Sequence, residues 1–267
     1  MRSERALAAL RGRPLNFAPQ PLAAYTPERG WHADALSQRL PGERPGDPAP
    51  GGAWQIARRL MEDYRMADPR IVRAIWDPGA PLLGRELLLE LRLYRLLRVR
   101  AGVRVTQVSD EERDVAGRRA RVFGFEYATL RGHLEMGRMD YELFKWRDDG
   151  AVEFRLHAHS RASEDRGLPI RLGFRLFGRR EQVRFYRRCC ERMARLTAQE
   201  LGLPADPPPP AVRLEAADAP DTAELRERLL PRRTRRMTRA EPGPTMRKPD
   251  LHAARRRWSP DGRVATA

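Results

Sequence analysis

Residues 152–159 alternate strictly between apolar and polar side chains, and the segment 152–161 constrains the fold more than any other. The apolar positions are Val152, Phe154, Leu156 and Ala158. The polar positions are Glu153, Arg155, His157, His159 and Arg161. Because successive side chains of a strand point to opposite faces of a sheet, the segment predicts a strand with one buried face and one polar face.

Similar patterns predict an antiparallel sheet around this strand. The other expected strands are 71–76, 86–99, 103–108, 120–129 and 137–146. Phe123, Phe125 and Tyr127 share one face of the 120–129 strand. We expect a polar hairpin loop at 110–117, and 148–150 (Asp-Asp-Gly) is a tight-turn signal.

Two segments carry the three-and-four-residue spacing of amphipathic helices. The first begins near Ala53 and ends before Pro69. The second is longer, Arg179–Leu201, and ends at Gly202 and Pro204. Its apolar stripe is Val183, Tyr186, Cys190, Met193 and Thr197, widened by Phe185, Cys189 and Leu196.

The order of these elements predicts an α+β fold with a curved antiparallel sheet of about 5–7 strands that grips the long C-terminal helix. Packing the helix on the sheet buries the apolar faces of both. Residues 1–52 are expected to be a Pro/Gly-rich N-terminal extension, and 53–203 the folded domain. Residues 204–267 have few bulky apolar side chains, so we expect a disordered basic tail that begins near the prolines 207–210.

The chain is strongly basic, with a net charge of +16. This balance favours anionic partners, and the clusters Arg232–Arg239 and Arg255–Arg257 predict weak, non-specific binding of nucleic acid or an anionic surface. The alternative is that the high arginine content reflects the base composition of the genome, and that these arginines only form a well-solvated surface.

The cysteine content predicts a reducing compartment. Cys189 and Cys190 are adjacent, and adjacent cysteines rarely bridge each other because the geometry is strained. We therefore predict a cytoplasmic protein without a disulfide framework. A buried helix face suits both cysteines, and a redox pair with lowered pKa is the alternative. No run of about 18 apolar residues occurs, so no membrane span is predicted.

Three motifs occur in order along the chain and carry a family resemblance. They are FGFEYATLRGHLEMG at 123–137, VEFRLHAHSR at 152–161 and LGFRLFGRREQ at 172–182. Together they resemble the DUF1990 family, a domain of unknown function, from about Gly52 to Thr197. Met136 and His159 depart from the pattern expected in relatives.

The resemblance implies a helix-grip, START-like fold with a ligand cavity between sheet and helix, but no established activity or catalytic residue. A hydrophobic or amphipathic small molecule is the expected partner, with arginine forks recognising any acidic end. The predicted ligand-binding residues are Tyr127, Thr129, His133, Glu135, Arg155, His157 and Arg161. For the polar face of the 152–161 strand, the alternative to ligand binding is an ordinary solvent-exposed face. For Tyr127 and Thr129, the alternative is that they are polar anchors with no role in ligand binding.

Two pairs of residues are the candidates for catalysis or metal binding, each pair separated by one residue on a predicted strand: His133-x-Glu135 and His157-x-His159. An enzyme of unknown reaction would use His133, Glu135 and His157 as acid–base groups, which requires these side chains to converge. Imidazole and carboxylate also suit a metal, but Arg155 and Arg161 beside the histidines disfavour a dication. We predict no metal and no cofactor.

Overall fold

The computed structural model describes residues 2–93, 97–163, 179–204 and 207–214, all within the first of the two units of the chain, residues 1–225. The described helices are α1 (Arg2–Ala8), α2 (Ala53–Glu62) and α3 (Arg179–Glu200). The first four strands are β1 (His32–Leu40), β2 (Val72–Ile75), β3 (Glu86–Leu93) and β4 (Leu97–Val115). The others are β5 (Arg118–Thr129), β6 (Glu135–Trp146), β7 (Val152–Ala162) and β8 (Val212–Arg213).

The eight strands form one open, curved sheet in the order β2-β3-β4-β5-β6-β7-β1-β8. Every neighbouring pair is antiparallel. The register between β4 and β5 shifts between Val105 and Gln107, which marks a bulge of the kind that bends a strand. The predicted antiparallel sheet is therefore confirmed, with eight strands among the described residues rather than about five to seven.

Strand β1 lies inside the segment predicted to be an N-terminal extension, so the boundary after residue 52 is wrong. It pairs with β7 along its whole length, with Leu36 opposite Leu156, and its other edge pairs with β8. Its polar residues Asp34, Ser37 and Gln38 are buried. A strand that buries polar side chains on both faces has no apolar alternation, which is why the sequence did not reveal it.

Two predicted boundaries in the middle of the chain are also wrong. Residues 86–99 do not form one strand, because β3 ends at Leu93 and pairs antiparallel with β4, with Leu93 opposite Leu97. The predicted loop at 110–117 is mostly strand, since β4 continues to Val115. Ion pairs across β4 and β5, such as Asp110 with Arg121, stabilise this polar stretch, so it lacks the apolar face that predicts a strand.

The first part of the predicted tail is attached to the sheet. Val212 and Arg213 pair with Ser37 and Leu36, and the Gln38 side-chain amide donates to the Pro209 carbonyl at 3.1 Å. The tail prediction is therefore wrong for residues 207–214. Residues 205–206 and 215–267, including both basic clusters, lie outside the described residues.

Helices α2 and α3 pack on the same face of the sheet and against each other. The predicted α3 stripe is confirmed, because Phe185, Tyr186 and Met193 are buried in the core together with both cysteines. Burial raises the pKa of the Cys190 thiol to about 12 and that of Cys189 well above its usual range. The alternative of a redox pair with lowered pKa is therefore wrong. None of the helices in the described part is long and apolar enough to cross a bilayer.

Candidate functional site

A cavity of about 100 Å³ lies between the first turns of α3 and the sheet. Its apolar lining is Ile71, Val72, Leu89, Leu91, Leu134, Met139 and Phe185. Its polar lining is Tyr127, His133, Glu135, Glu181, Gln182 and Tyr186. Strands β2, β3, β5 and β6 therefore form its floor, and α3 forms its roof.

Glu135, the first residue of β6, places a carboxylate in this largely apolar space. The side-chain amide nitrogen of Gln182 donates to both carboxylate oxygens at 3.2 Å. Burial raises the pKa of Glu135 to about 7, although the positive charge of Arg179 and the bond from Gln182 act in the opposite direction. The carboxyl therefore changes charge near neutral pH.

Gln182 and Arg179 together connect α3 to three strands. The Gln182 amide nitrogen lies 2.7 Å from Ser160 Oγ on β7, and its carbonyl oxygen accepts from Arg179 Nη1 at 2.9 Å. Arg179 in turn forms a two-contact ion pair with the buried Asp34 of β1. These bonds fix the first turn of α3 above the cavity.

His133 contacts the backbone of Glu135 rather than its carboxylate. Its Nδ1 lies 3.0 Å from the Glu135 amide nitrogen and 3.1 Å from the Glu135 carbonyl oxygen. The imidazole is therefore bound within the turn that leads into β6, and the two side chains do not form the two-ligand pair considered from the sequence. The described residues contain no group of three or more histidine, cysteine or acidic side chains that could hold a metal.

Three tyrosine hydroxyls meet at the core side of the cavity. The Tyr64 hydroxyl lies 3.3 Å from those of Tyr127 and Tyr141, and the Tyr127 hydroxyl lies 3.3 Å from Met139 Sδ. Burial raises the pKa of Tyr127 to about 12. Tyr64 adopts a left-handed backbone with φ of 54°, a conformation that costs free energy for a non-glycine residue. Of these three tyrosines, Tyr127 lines the cavity and supplies it with a neutral hydroxyl group.

Thr129 lies at the end of β5 and fixes the N-terminal segment to the sheet. Its hydroxyl donates to Asn16 Oδ1 at 2.6 Å and accepts from the Gly137 amide at 2.9 Å. Asn16 also donates to the Glu135 carbonyl at 2.8 Å. Thr129 is therefore a buried polar anchor behind the cavity.

The remaining predicted residues, Arg155, His157 and Arg161, lie on the opposite face of the sheet. Arg155 pairs with Glu153, and its guanidinium lies 4.3 Å from the Phe144 ring centroid. His157 Nε2 is 3.9 Å from a Glu142 carboxylate oxygen, and the Arg161 guanidinium lies 5.2 Å from the Trp31 ring centroid.

This division bears on two expectations. His157 cannot converge with His133 and Glu135, because odd positions of β7 face away from α3, so the acid–base triad is wrong. Arginine recognition of an acidic ligand end has no support among the described residues that line this cavity. Its described lining contains acidic and neutral polar groups but neither lysine nor arginine, and the nearby Arg179 is engaged by Asp34.

Sequence reasoning missed several residues of the site. Gln182 belongs to the 172–182 motif but shares no strand with Glu135, so only the docking of α3 reveals the contact. A signal was nevertheless present, because Gln182, Phe185 and Tyr186 follow the spacing that places side chains on one helix face. Tyr64 follows α2 in an irregular segment, and only its position in the fold shows its role.

The fold and site define an α+β protein with an open antiparallel sheet, a long helix across one face and a small pocket between them. This chain belongs to the family described as "Domain of unknown function (DUF1990)", whose profile matches residues 19–192. The match begins before β1, which agrees with the inclusion of β1 in the sheet.

Solved structures with similarity to the chain include three at low sequence identity. Ara h 8.0201 is 11% identical with a TM-score of 0.34, covering 65% of this chain and 99% of that one. A protein from Arthrobacter aurescens is 10% identical with a TM-score of 0.36, covering 62% and 86%. The Mll3558 protein from Rhizobium loti is 12% identical with a TM-score of 0.30, covering 64% and 98%. The comparison with curated proteins gave no match.

Proposed function

We propose that this protein is a ligand-binding module of the helix-grip, START-like type that takes a small apolar or amphipathic molecule between α3 and the sheet. The observation that carries the proposal is the cavity itself, which combines apolar walls with a few convergent polar groups. That combination is typical of small-molecule sites. The order of strands followed by a long helix across one sheet face also supports it.

The cavity volume limits the size of the ligand that the cavity can enclose. About 100 Å³ is smaller than the ~300–1,000 Å³ of sites that enclose drug-sized ligands. It is closer to the ~150 Å³ apolar cavity that accommodates benzene. The site therefore encloses a molecule of a few heavy atoms, or one end of a longer amphipathic molecule.

We also propose a partner for the basic clusters and a cellular location. Binding of nucleic acid or an anionic surface would depend on Arg232–Arg239 and Arg255–Arg257, outside the described residues. A cytoplasmic location is supported by Cys189 and Cys190, which are free thiols buried in the core.

Calorimetric titration with 3-methylbutanol tests the binding function, because this alcohol has a compact apolar body and one hydroxyl. The Leu91→Trp variant fills the cavity, whereas Val108→Trp enlarges another partly buried side chain that packs on the same core away from the lining. We expect measurable binding by wild type and Val108→Trp, and at least a tenfold loss in Leu91→Trp. Equal binding by both variants, or none by wild type, would contradict the proposal.

A further inference from the structure

We propose that the polar end of the ligand is a cation, so that the cavity selects small primary amines with a branched apolar body and holds the ammonium against Glu135. This inference rests on the proposed binding function and specifies its ligand class. It follows from three features of the lining: the open hydrogen-bonding capacity of Glu135, the charges that face it and the aromatic walls.

The Glu135 carboxylate has room for another donor. An ionised carboxylate offers about four lone-pair positions, and Gln182 occupies part of this capacity through a single amide nitrogen. His133 Nδ1 contacts the Glu135 backbone, and the Glu135 side chain is part of the cavity lining. A primary ammonium carries three donors on one small head, which suits such an acceptor.

The charges around Glu135 favour a cation over an anion. On α3, Glu181 adds a second carboxylate to the lining, Gln182 and Tyr186 are neutral, and Arg179 is paired with Asp34 of β1. The sheet contributes the neutral Tyr127 hydroxyl and Ser160, and the turn contributes His133. Of the two carboxylates in the described lining, Glu135 is the one that balances an incoming positive charge, because Glu181 already pairs with Arg184 at 3.5 Å. A carboxylate ligand would meet like charge at Glu135.

The aromatic lining adds a second attraction for a cation. Tyr127, Phe185 and Tyr186 line the same cavity as Glu135, and the faces of aromatic rings attract ammonium groups. The aliphatic walls of Val72, Leu89 and Leu91 suit a short branched chain. A small aliphatic amine thus matches both ends of the cavity.

Binding of such an amine should depend on pH. Burial raises the pKa of Glu135 to about 7, so in the absence of ligand the carboxyl is partly protonated at neutral pH. An alkylammonium keeps its charge to about pH 10, like lysine. Binding of the amine at pH 7 should therefore release a proton from Glu135, and affinity should rise between pH 6 and pH 8.

Three probes with one carbon skeleton test the inference: 3-methylbutylamine, 3-methylbutanol and 3-methylbutanoate, each titrated calorimetrically at pH 8 into the full chain. We expect the amine to bind at least tenfold more tightly than the alcohol, and the carboxylate most weakly. In Glu135→Gln, amine and alcohol should bind within about threefold of each other. The matched control Glu153→Gln changes a carboxylate on the opposite face and should keep the preference for the amine.

The outcomes separate the two proposals. If amine and alcohol bind wild type equally, or the carboxylate binds best, the ammonium inference is wrong while the binding function stands. If no probe binds, both are wrong. Should Glu135→Gln fail to fold, titration of wild type at pH 7 in two buffers of different ionisation enthalpy decides the point. Proton release with the amine and none with the alcohol supports the inference, and equal proton exchange contradicts it.

Discussion

The side-chain amide nitrogen of Gln182 on α3 donates hydrogen bonds to both carboxylate oxygens of Glu135 on β6, at 3.2 Å each. This contact joins the roof of the cavity to its floor. It also places the amide where it stabilises the charged form of a carboxyl that burial drives toward the neutral form. The position of α3 and the charge of the cavity are therefore coupled through one side chain.

Replacing Gln182 should therefore destabilise the protein more at high pH than at low pH. In Gln182→Leu, Glu135 loses its donor, and an unpartnered buried charge costs more than a neutral carboxyl. We expect a loss of about 1–3 kcal/mol at pH 8 and a smaller loss at pH 5, measured by urea unfolding. The exposed Gln199→Leu on the same helix is the control. Equal effects of the two variants would contradict the role of Gln182.

Glu135 should make wild type less stable as pH rises. Its pKa in the folded protein is about 7, above the ordinary value of 4.5, so the folded state binds the proton more tightly than the unfolded state. This stabilisation is complete below pH 4.5 and is lost as pH rises through 7, by about 3 kcal/mol at most. Unfolding free energies at pH 4.5 and pH 8 should show the difference between wild type and Glu135→Gln. Parallel pH profiles would show that the carboxyl is not buried as described.

His159 should have the opposite effect. Burial lowers its pKa to about 4, helped by Arg138 and His157 and opposed by Asp140. The folded state therefore resists protonation between pH 6.5 and pH 4, and stability should fall as pH falls through this window, by about 3 kcal/mol at most. His159→Gln should flatten the acid side of the unfolding profile. An unchanged acid profile would contradict the burial of this imidazole.

Substitutions at two turn glycines distinguish the cost of backbone strain from the cost of a steric clash. Both Gly117 and Gly150 have positive φ, but a Cβ on Gly150 would lie 2.1 Å from the Glu43 carbonyl oxygen, whereas a Cβ on Gly117 meets nothing within 4 Å. Gly117→Ala should cost about 1–2 kcal/mol, the penalty of the left-handed conformation. Gly150→Ala should cost more, because the segment that contains Glu43 must move. Thermal unfolding compares them, and equal losses would contradict the packing of this turn.

The sequence predicted the regular elements where one face is apolar. Strand β7 and helix α3 were identified because their periods are clean and their buried faces are continuous. Strand β1 was missed since it buries polar residues, and the polar end of β4 was missed because ion pairs replace apolar packing there.

The site was only partly predictable for a geometric reason. Alternation assigns residues of one strand to the same face, so Arg155, His157 and Arg161 were correctly grouped with one another. Alternation does not say which face of β7 packs against α3. Arg155, His157 and Arg161 were therefore wrongly grouped with Tyr127 and Glu135. The Gln182 contact depends on how α3 docks, which no local pattern encodes.

The central claim is that the space between α3 and the sheet admits a ligand. The most direct test is an NMR measurement of nuclear Overhauser contacts between the methyl groups of bound 3-methylbutanol and the protein. We predict contacts to Leu89, Leu91 and Phe185, which line the cavity. Contacts confined to the opposite face of the sheet, such as Trp31 and Met136, or no contacts at saturating alcohol, would contradict it.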